Sequence, residues 1–147
     1  MDSKDIGNVS ELAIMLEFTK KGIPVFIPYG DSCSFDLVVH ISNKFYRVEV
    51  KTGRSSKNGC IMFGPYMTTY DKGRNRKDVN YVGKADLFGV YYPQNQKSYL
   101  VYINEDLPKR LVSLRVDFPK NRHKRYIRWA SDYEFDVQLK KLVGGMV

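Results

Sequence analysis

The stretch FYRVEVKTG, residues 45–53, sets an acid and an amine two positions apart inside a run of strand formers. Side chains of a strand alternate between faces, so Arg47, Glu49 and Lys51 share one face while Tyr46, Val48 and Val50 share the other. Just upstream, FDLVVHI (35–41) forms a second such run, and only Ser42, Asn43 and Lys44 separate the two. Runs joined so closely read as an antiparallel hairpin. With Ser42–Asn43 as the turn, Asp36 lies opposite Glu49; with Asn43–Lys44 as the turn, it lies opposite Lys51. Both registers keep parity, so two carboxylates and a lysine emerge on one face, whereas a three-residue loop would part them. Carboxylates that close repel, and one of them is driven to hold its proton. A hard divalent ion such as Mg2+ relieves the repulsion and keeps coordination sites for phosphate oxygen. A lysine alongside orients or activates an attacking water and offsets charge developing on phosphate. The competing reading is a structural Glu49–Lys51 ion pair, which has no need of Asp36.

The surrounding elements must hold that face in place. Residues 3–21 read as a helix, with Ile6, Val9, Ala13 and Leu16 at helical spacing and Gly22 at the stop position. On that helix Glu17 falls near Ser10 and Lys21, a wet face. Glu11 falls among Ile14, Met15 and Phe18, where an unpartnered charge is costly. IPVFIPYG is a short strand ending in a turn, and 53–59 a loop. CIMFGPYMTTY is a strand or bent strand, and DKGRNRKDVNYVGK (71–84) a polar, basic loop. ADLFGVYYPQ and KSYLVYINEDL pair around a Gln-Asn-Gln turn, the second strand running on toward Pro108. QLKKLV is a short terminal helix. This order predicts a single α/β (α+β) domain over residues 1–147, with a helix covering a central sheet.

GDSCSFDLVV followed by YRVEVKTG, with GNVSELAIMLEFTKKGIPV before them, resembles the PD-(D/E)XK nuclease superfamily. Its pattern is an acid on the first helix, an aspartate at the start of one strand and (D/E)xK on the next. Here these are Glu11, Asp36, and Glu49 with Lys51; Phe35 stands where the motif's name has proline, a position that varies in the superfamily. The resemblance covers mainly residues 5–53, with a weaker echo in ADLFGVYY, SYLVYI and RLVSLRVDF. It implies a restriction-endonuclease-like core, a central mixed sheet flanked by helices. It also implies catalysis by Glu11, Asp36, Glu49 and Lys51, with Asp36, Glu49 and Glu11 on Mg2+, for which Mn2+ substitutes. The small size, the VKTG ending and the basic C-terminal third look most like bacterial group I intron-encoded homing endonucleases of this type. That likeness implies double-strand cleavage of DNA at a long target by a dimer or tetramer. A Holliday-junction resolvase and a restriction or repair nuclease use the same core, and a non-catalytic basic nucleic-acid-binding module is the rival from another class.

Charge agrees with a polyanionic partner. Twenty-four Lys and Arg stand against sixteen Asp and Glu, a net charge of +8. One basic group is Arg54, Lys57, Arg74, Arg76 and Lys77; the other is Lys120, Arg122, Lys124, Arg125 and Arg128, with Tyr126 and Trp129 interleaved as packing residues. Most would hold phosphates and only a few would read bases. Phe63, Tyr66 and Tyr70 are expected at a subunit interface. Cys33 and Cys60 lack zinc spacing and read as small, partly buried hydrophobes. His40 and His123 are assigned no role. No apolar run reaches membrane-spanning length and MDSKDIGN has no signal-peptide pattern, which predicts a cytoplasmic protein.

Overall fold

The computed structural model describes residues 1–73, 75–117 and 127–144. Ser42 and Asn43 both take left-handed φ, 51° and 65°, the pair that a two-residue hairpin turn demands. That turn sets β2 (Leu37–Ile41) against β3 (Lys44–Thr52) with Leu37 opposite Val48 and Ile41 opposite Lys44, the first of the two expected registers. β1 (Val25–Phe26) pairs on the outer edge of β2. On its other side β3 runs parallel to β8 (Leu87–Tyr92), which is antiparallel to β9 (Lys97–Tyr102). The result is a mixed five-stranded sheet, β1-β2-β3-β8-β9.

Alternation along β3 divides two cores. Val48 and Val50 face the helices α1 (Ser3–Lys20) and α2 (Phe135–Val143), packing with Ile14, Phe18, Leu87, Leu100 and Leu139. Phe18 and Phe135 meet edge to face at 4.8 Å and tie the helices together. Gly89 lets α1 lie close on β8, since a Cβ there would stand 2.8 Å from Ile14 Cγ2. Asp2 caps α1 by accepting from the Asp5 amide at 2.9 Å. Gly22, at φ 73°, turns the chain away at the expected stop.

The buried stripe of α1 is not the expected one. Ser10, Ile14 and Phe18 point inward, while Val9 and Leu16 are 40% and 53% exposed. Two apolar stripes compete on this helix, and the one spaced i, i+4, i+8 that carries the large Phe18 ring wins. Ser10 is thereby buried rather than wet.

The opposite face of the sheet is covered by a three-stranded sheet, β10-β5-β4. Its strands are β4 (Arg54–Ser55), β5 (Cys60–Phe63) and β10 (Val112–Arg115). Ile61, Phe63, Val112 and Leu114 pack there on Phe88, Val90, Tyr99 and Val101. Phe63 is therefore core and not interface, whereas Tyr70 is 65% exposed.

Residues 71–84 are only partly loop. CIMFGPYMTTY breaks at Gly64–Pro65, and β6 (Tyr66–Asp71) pairs with β7 (Asn75–Asn80) as a separate two-stranded ribbon. Thr68 donates to Asp78 at 3.1 Å across it. Both faces of this ribbon are largely wet, so no apolar alternation marks its strands in the sequence. β9 stops at Tyr102, short of Pro108, where Asn104 accepts from the Asp106 amide at 2.9 Å and turns the chain. Cys33 is exposed instead of partly buried, and Cys60 is half-buried. Among the described residues, no helix is long and apolar enough to cross a membrane.

Candidate active site

Asp36 lies one residue before β2, where the hairpin ladder ends. Its amide donates to the Val48 carbonyl at 3.0 Å, although Leu37 is the residue opposite Val48. Two residues thus address one, as in a β-bulge, which bends a strand and re-aims a side chain. The Asp36 carboxylate turns along β3 and accepts from the Val50 amide at 2.8 Å. That amide lies beyond the reach of β2, so the carboxylate replaces a ladder partner and is held rigidly.

Glu49 and Lys51 emerge from β3 on the face away from α1, beside the strand that carries Phe88 and Val90. Burial first, then the Asp36 carboxylate, pushes Glu49 up to about 8, with Lys51 and Tyr81 opposing. Lys51 is lowered by burial, against the pull of Glu49 and Asp36. Its Nζ donates to the Tyr66 carbonyl at 3.1 Å and stands 5.0 Å from the Tyr81 ring centroid.

Glu11 reaches Asp36 from α1. Burial, the Asp36 charge and a shared hydrogen bond with it raise Glu11 to about 7. The approach of the helix is set one residue earlier, where the buried Ser10 hydroxyl bonds Thr52 Oγ1 at 2.6 Å at the end of β3. Sequence reasoning missed this pin, and missed Tyr81 and the Tyr66 carbonyl. A serine inside an apolar helical run was the one available signal for Ser10; Tyr81 lay in a segment read as loop.

Arg47 shares strand parity with Glu49 but is committed elsewhere. It grips Asp86 through Nε and Nη2, both at 3.1 Å, and donates to the Gly83 carbonyl. Although burial opposes, those bonds hold the Asp86 carboxyl below its usual value. With the Arg47 amide also donating to Asp86 at 2.7 Å, the pair locks the start of the parallel β3–β8 register.

Of the expected DNA contacts, Arg54 is exposed on β4 and Lys57 in the turn after it. Arg76 and Lys77 are exposed on β7, Arg76 bonded to Asp78 at 3.2 Å. Arg128 is half-buried beside β10, its carbonyl accepting from the Arg115 amide at 2.7 Å. Arg74, Lys120, Arg122, Lys124 and Arg125 lie outside the described residues, as do His123 and Tyr126.

Glu11, Asp36 and Glu49 provide hard oxygen donors that meet pairwise, Glu11 with Asp36 and Asp36 with Glu49. Among the described residues no three acids, histidines or cysteines enclose a single point. Glu11 and Glu49, partly buried and crowded against Asp36, retain protons toward neutral pH. The donor type and crowding fit a divalent ion.

A family model described as PD-(D/E)XK endonuclease matches residues 1–136. The chain therefore belongs to the PD-(D/E)XK endonuclease family and is a DNA endonuclease. Among solved structures it is similar to a bacterial homing endonuclease, I-Ssp6803I, with a TM-score of 0.78 and 21% identity. That match covers 99% of this chain and 97% of the other, and shows the restriction-endonuclease-like fold. Comparison with curated proteins finds no match. Nucleases of this family generally use divalent metal ions.

Proposed function

We propose that the protein is a Mg2+-dependent endonuclease cutting both strands of duplex DNA at a long, specific target. The observation that carries this reading is the meeting of Glu11, from α1, with Asp36 and Glu49 of the β2–β3 hairpin, beside Lys51. Asp36 and Glu49 are the metal ligands in this reading, with Glu11 completing the site. A bound divalent ion supplies neutralisation of these acids and Lewis-acid polarisation of the scissile phosphate. Lys51 orients the attacking water and, as an ammonium, offsets charge growing on the phosphate. Burial also lowers its proton affinity, so it gives up its proton more readily than a free lysine does.

Arg54 and Lys57 follow the active strand directly, and the β6–β7 ribbon carries Arg76 and Lys77 outward. These are the phosphate contacts, joined by Arg128 and by the basic residues of 74 and 120–125. Whole-chain likeness to a homing endonuclease supports a long target over a short one. One chain holds one catalytic set, so double-strand cleavage requires at least two copies. Leu12 and Leu16 on the outer side of α1, 62% and 53% exposed, and Phe26, Ile27 and Phe45, 50–64% exposed, support association.

Supercoiled plasmids of varied sequence, incubated with and without Mg2+, test the activity in wild type and in Lys51→Ala. Cleavage that needs Mg2+ and Lys51 upholds the proposal, while binding without cleavage under any divalent ion leaves a nucleic-acid-binding module. A linear duplex cut once, set against an uncut four-way junction, separates site-specific cleavage from junction resolution. Light scattering of the purified protein gives the copy number, and a monomer at all concentrations would count against double-strand cutting.

A further inference from the structure

Outside the carboxylates, two groups that hold the Lys51 ammonium come from one place, the foot of the β6–β7 ribbon. Tyr66, whose carbonyl takes the Nζ hydrogen bond at 3.1 Å, opens β6 and pairs with Asn80. The next residue is Tyr81, whose ring centroid lies 5.0 Å from the same Nζ. An ammonium over an aromatic face is drawn by the ring quadrupole, and more strongly where water is excluded.

Tyr81 is itself fixed. It is 5% exposed and meets Phe88 edge to face at 5.5 Å, while Phe88 meets Phe63 at 5.2 Å. Its carbonyl accepts from the Lys84 and Ala85 amides at 2.8 and 3.0 Å. Its hydroxyl reaches the Glu49 carboxylate. A single clamped side chain thus touches the acid by its hydroxyl and the amine by its ring.

We infer that Tyr81 is a positioning residue for cleavage, its hydroxyl orienting Glu49 and its ring, with the Tyr66 carbonyl, seating Lys51. The inference rests on the reading of Glu49 and Lys51 as reacting groups. A lysine has four rotatable stem bonds and much rotamer freedom to lose. Without the ring, the ammonium loses the aromatic wall of its seat and regains rotamer freedom. The same clamp connects the active amine to the ribbon that carries Arg76 and Lys77.

Tyr81→Phe keeps the ring and loses the hydroxyl; Tyr81→Leu loses both. Single-turnover cleavage of a plasmid cut by the wild type should slow about tenfold in Tyr81→Phe, the size of one hydrogen bond to a charged group. In Tyr81→Leu the loss should be on the order of 100-fold, with both variants binding DNA normally in metal-free buffer. The Mg2+ concentration for half-maximal rate should rise in both. Without metal, proton NMR of the wild type should show the Lys51 ε-methylene shifted upfield by the ring, a shift kept in Tyr81→Phe and lost in Tyr81→Leu. A purely structural tyrosine would change melting temperature alone. Wild-type rates and Mg2+ midpoints in both variants, with Lys51→Ala inactive, overturn this inference and leave the proposed function standing. Wild-type cleavage by Lys51→Ala overturns both. Should Tyr81→Leu fail to fold, Tyr81→Phe decides: an unchanged rate and midpoint reject the role of the hydroxyl and with it the inference.

Discussion

The two faces of β3 solve opposite problems with alternating residues of one strand. Val48 and Val50 face the helices and are 0% and 8% exposed, packed among Ile14, Phe18, Leu87, Leu100 and Leu139. Glu49 and Lys51, interleaved with them, face a floor of Phe88, Val90 and Tyr81 in which charge is poorly solvated. The helix face gains stability from burial. The other face holds charges where burial opposes them, and such strain persists at sites whose function uses it. The difference sets a stabilising apolar face and the candidate active site on opposite sides of one backbone.

Substitutions on the two faces should therefore fail differently. Asp36→Asn and Lys51→Ala are expected to slow cleavage by about 10³-fold or more, measured under single turnover, with metal-free DNA affinity retained. Loss of binding with retained cutting would reverse the assignment. Phe18→Ala, on the helix face, should cost about 3–5 kcal/mol of folding stability, or on the order of 10 °C in melting temperature. The fraction still folded should cut normally.

Acidity separates the faces next. Glu49 and Glu11 hold protons to about 8 and about 7 in the fold, against an ordinary glutamate value of 4.5. From about pH 4.5 upward the unfolded chain loses these protons first, so the folded state binds more of them and stability falls as pH rises toward 8. Melting in EDTA between pH 5 and pH 8.5 should show this decline, and Glu49→Gln should flatten it. Divalent ion should raise the melting temperature more at pH 8 than at pH 5.5, because it competes with those protons. A melting temperature that climbs across that range without metal would contradict the crowding of the acids.

Ser10→Ala, at the seam between the faces, should cost about 1 kcal/mol through its hydrogen bond to Thr52. Because that bond sets the approach of Glu11, cleavage should weaken beyond the loss in stability. The smallest effect belongs to the wet ribbon, where Lys77→Ala should reduce the salt dependence of DNA binding by about one counterion and leave the fold untouched. An unchanged salt slope would place the DNA elsewhere.

Much of the site was legible because its signals are local. Strand parity put Glu49 and Lys51 on one face, and a two-residue Ser42–Asn43 turn was one of the two registers open to the hairpin. The awkward position of Glu11 among Ile14, Met15 and Phe18 marked a side chain in need of a partner, which is Asp36. The stripe of α1 was misread because Val9 and Leu16 compete with Ile14 and Phe18 at nearly the same period. The ribbon was misread because strands wet on both faces leave no apolar alternation.

By itself, then, the sequence determined which atoms are available for chemistry and which side of a strand they leave from, since alternation and turn geometry act over a few residues. Only the tertiary structure decided what surrounds them. The bulge that turns Asp36 onto the Val50 amide spans 14 residues, the Lys51–Tyr66 bond 15, and the Arg47–Asp86 lock 39. Contacts at such separations depend on how strands cross and pack, because their cost in chain entropy is met by the whole core and not by any neighbouring residue.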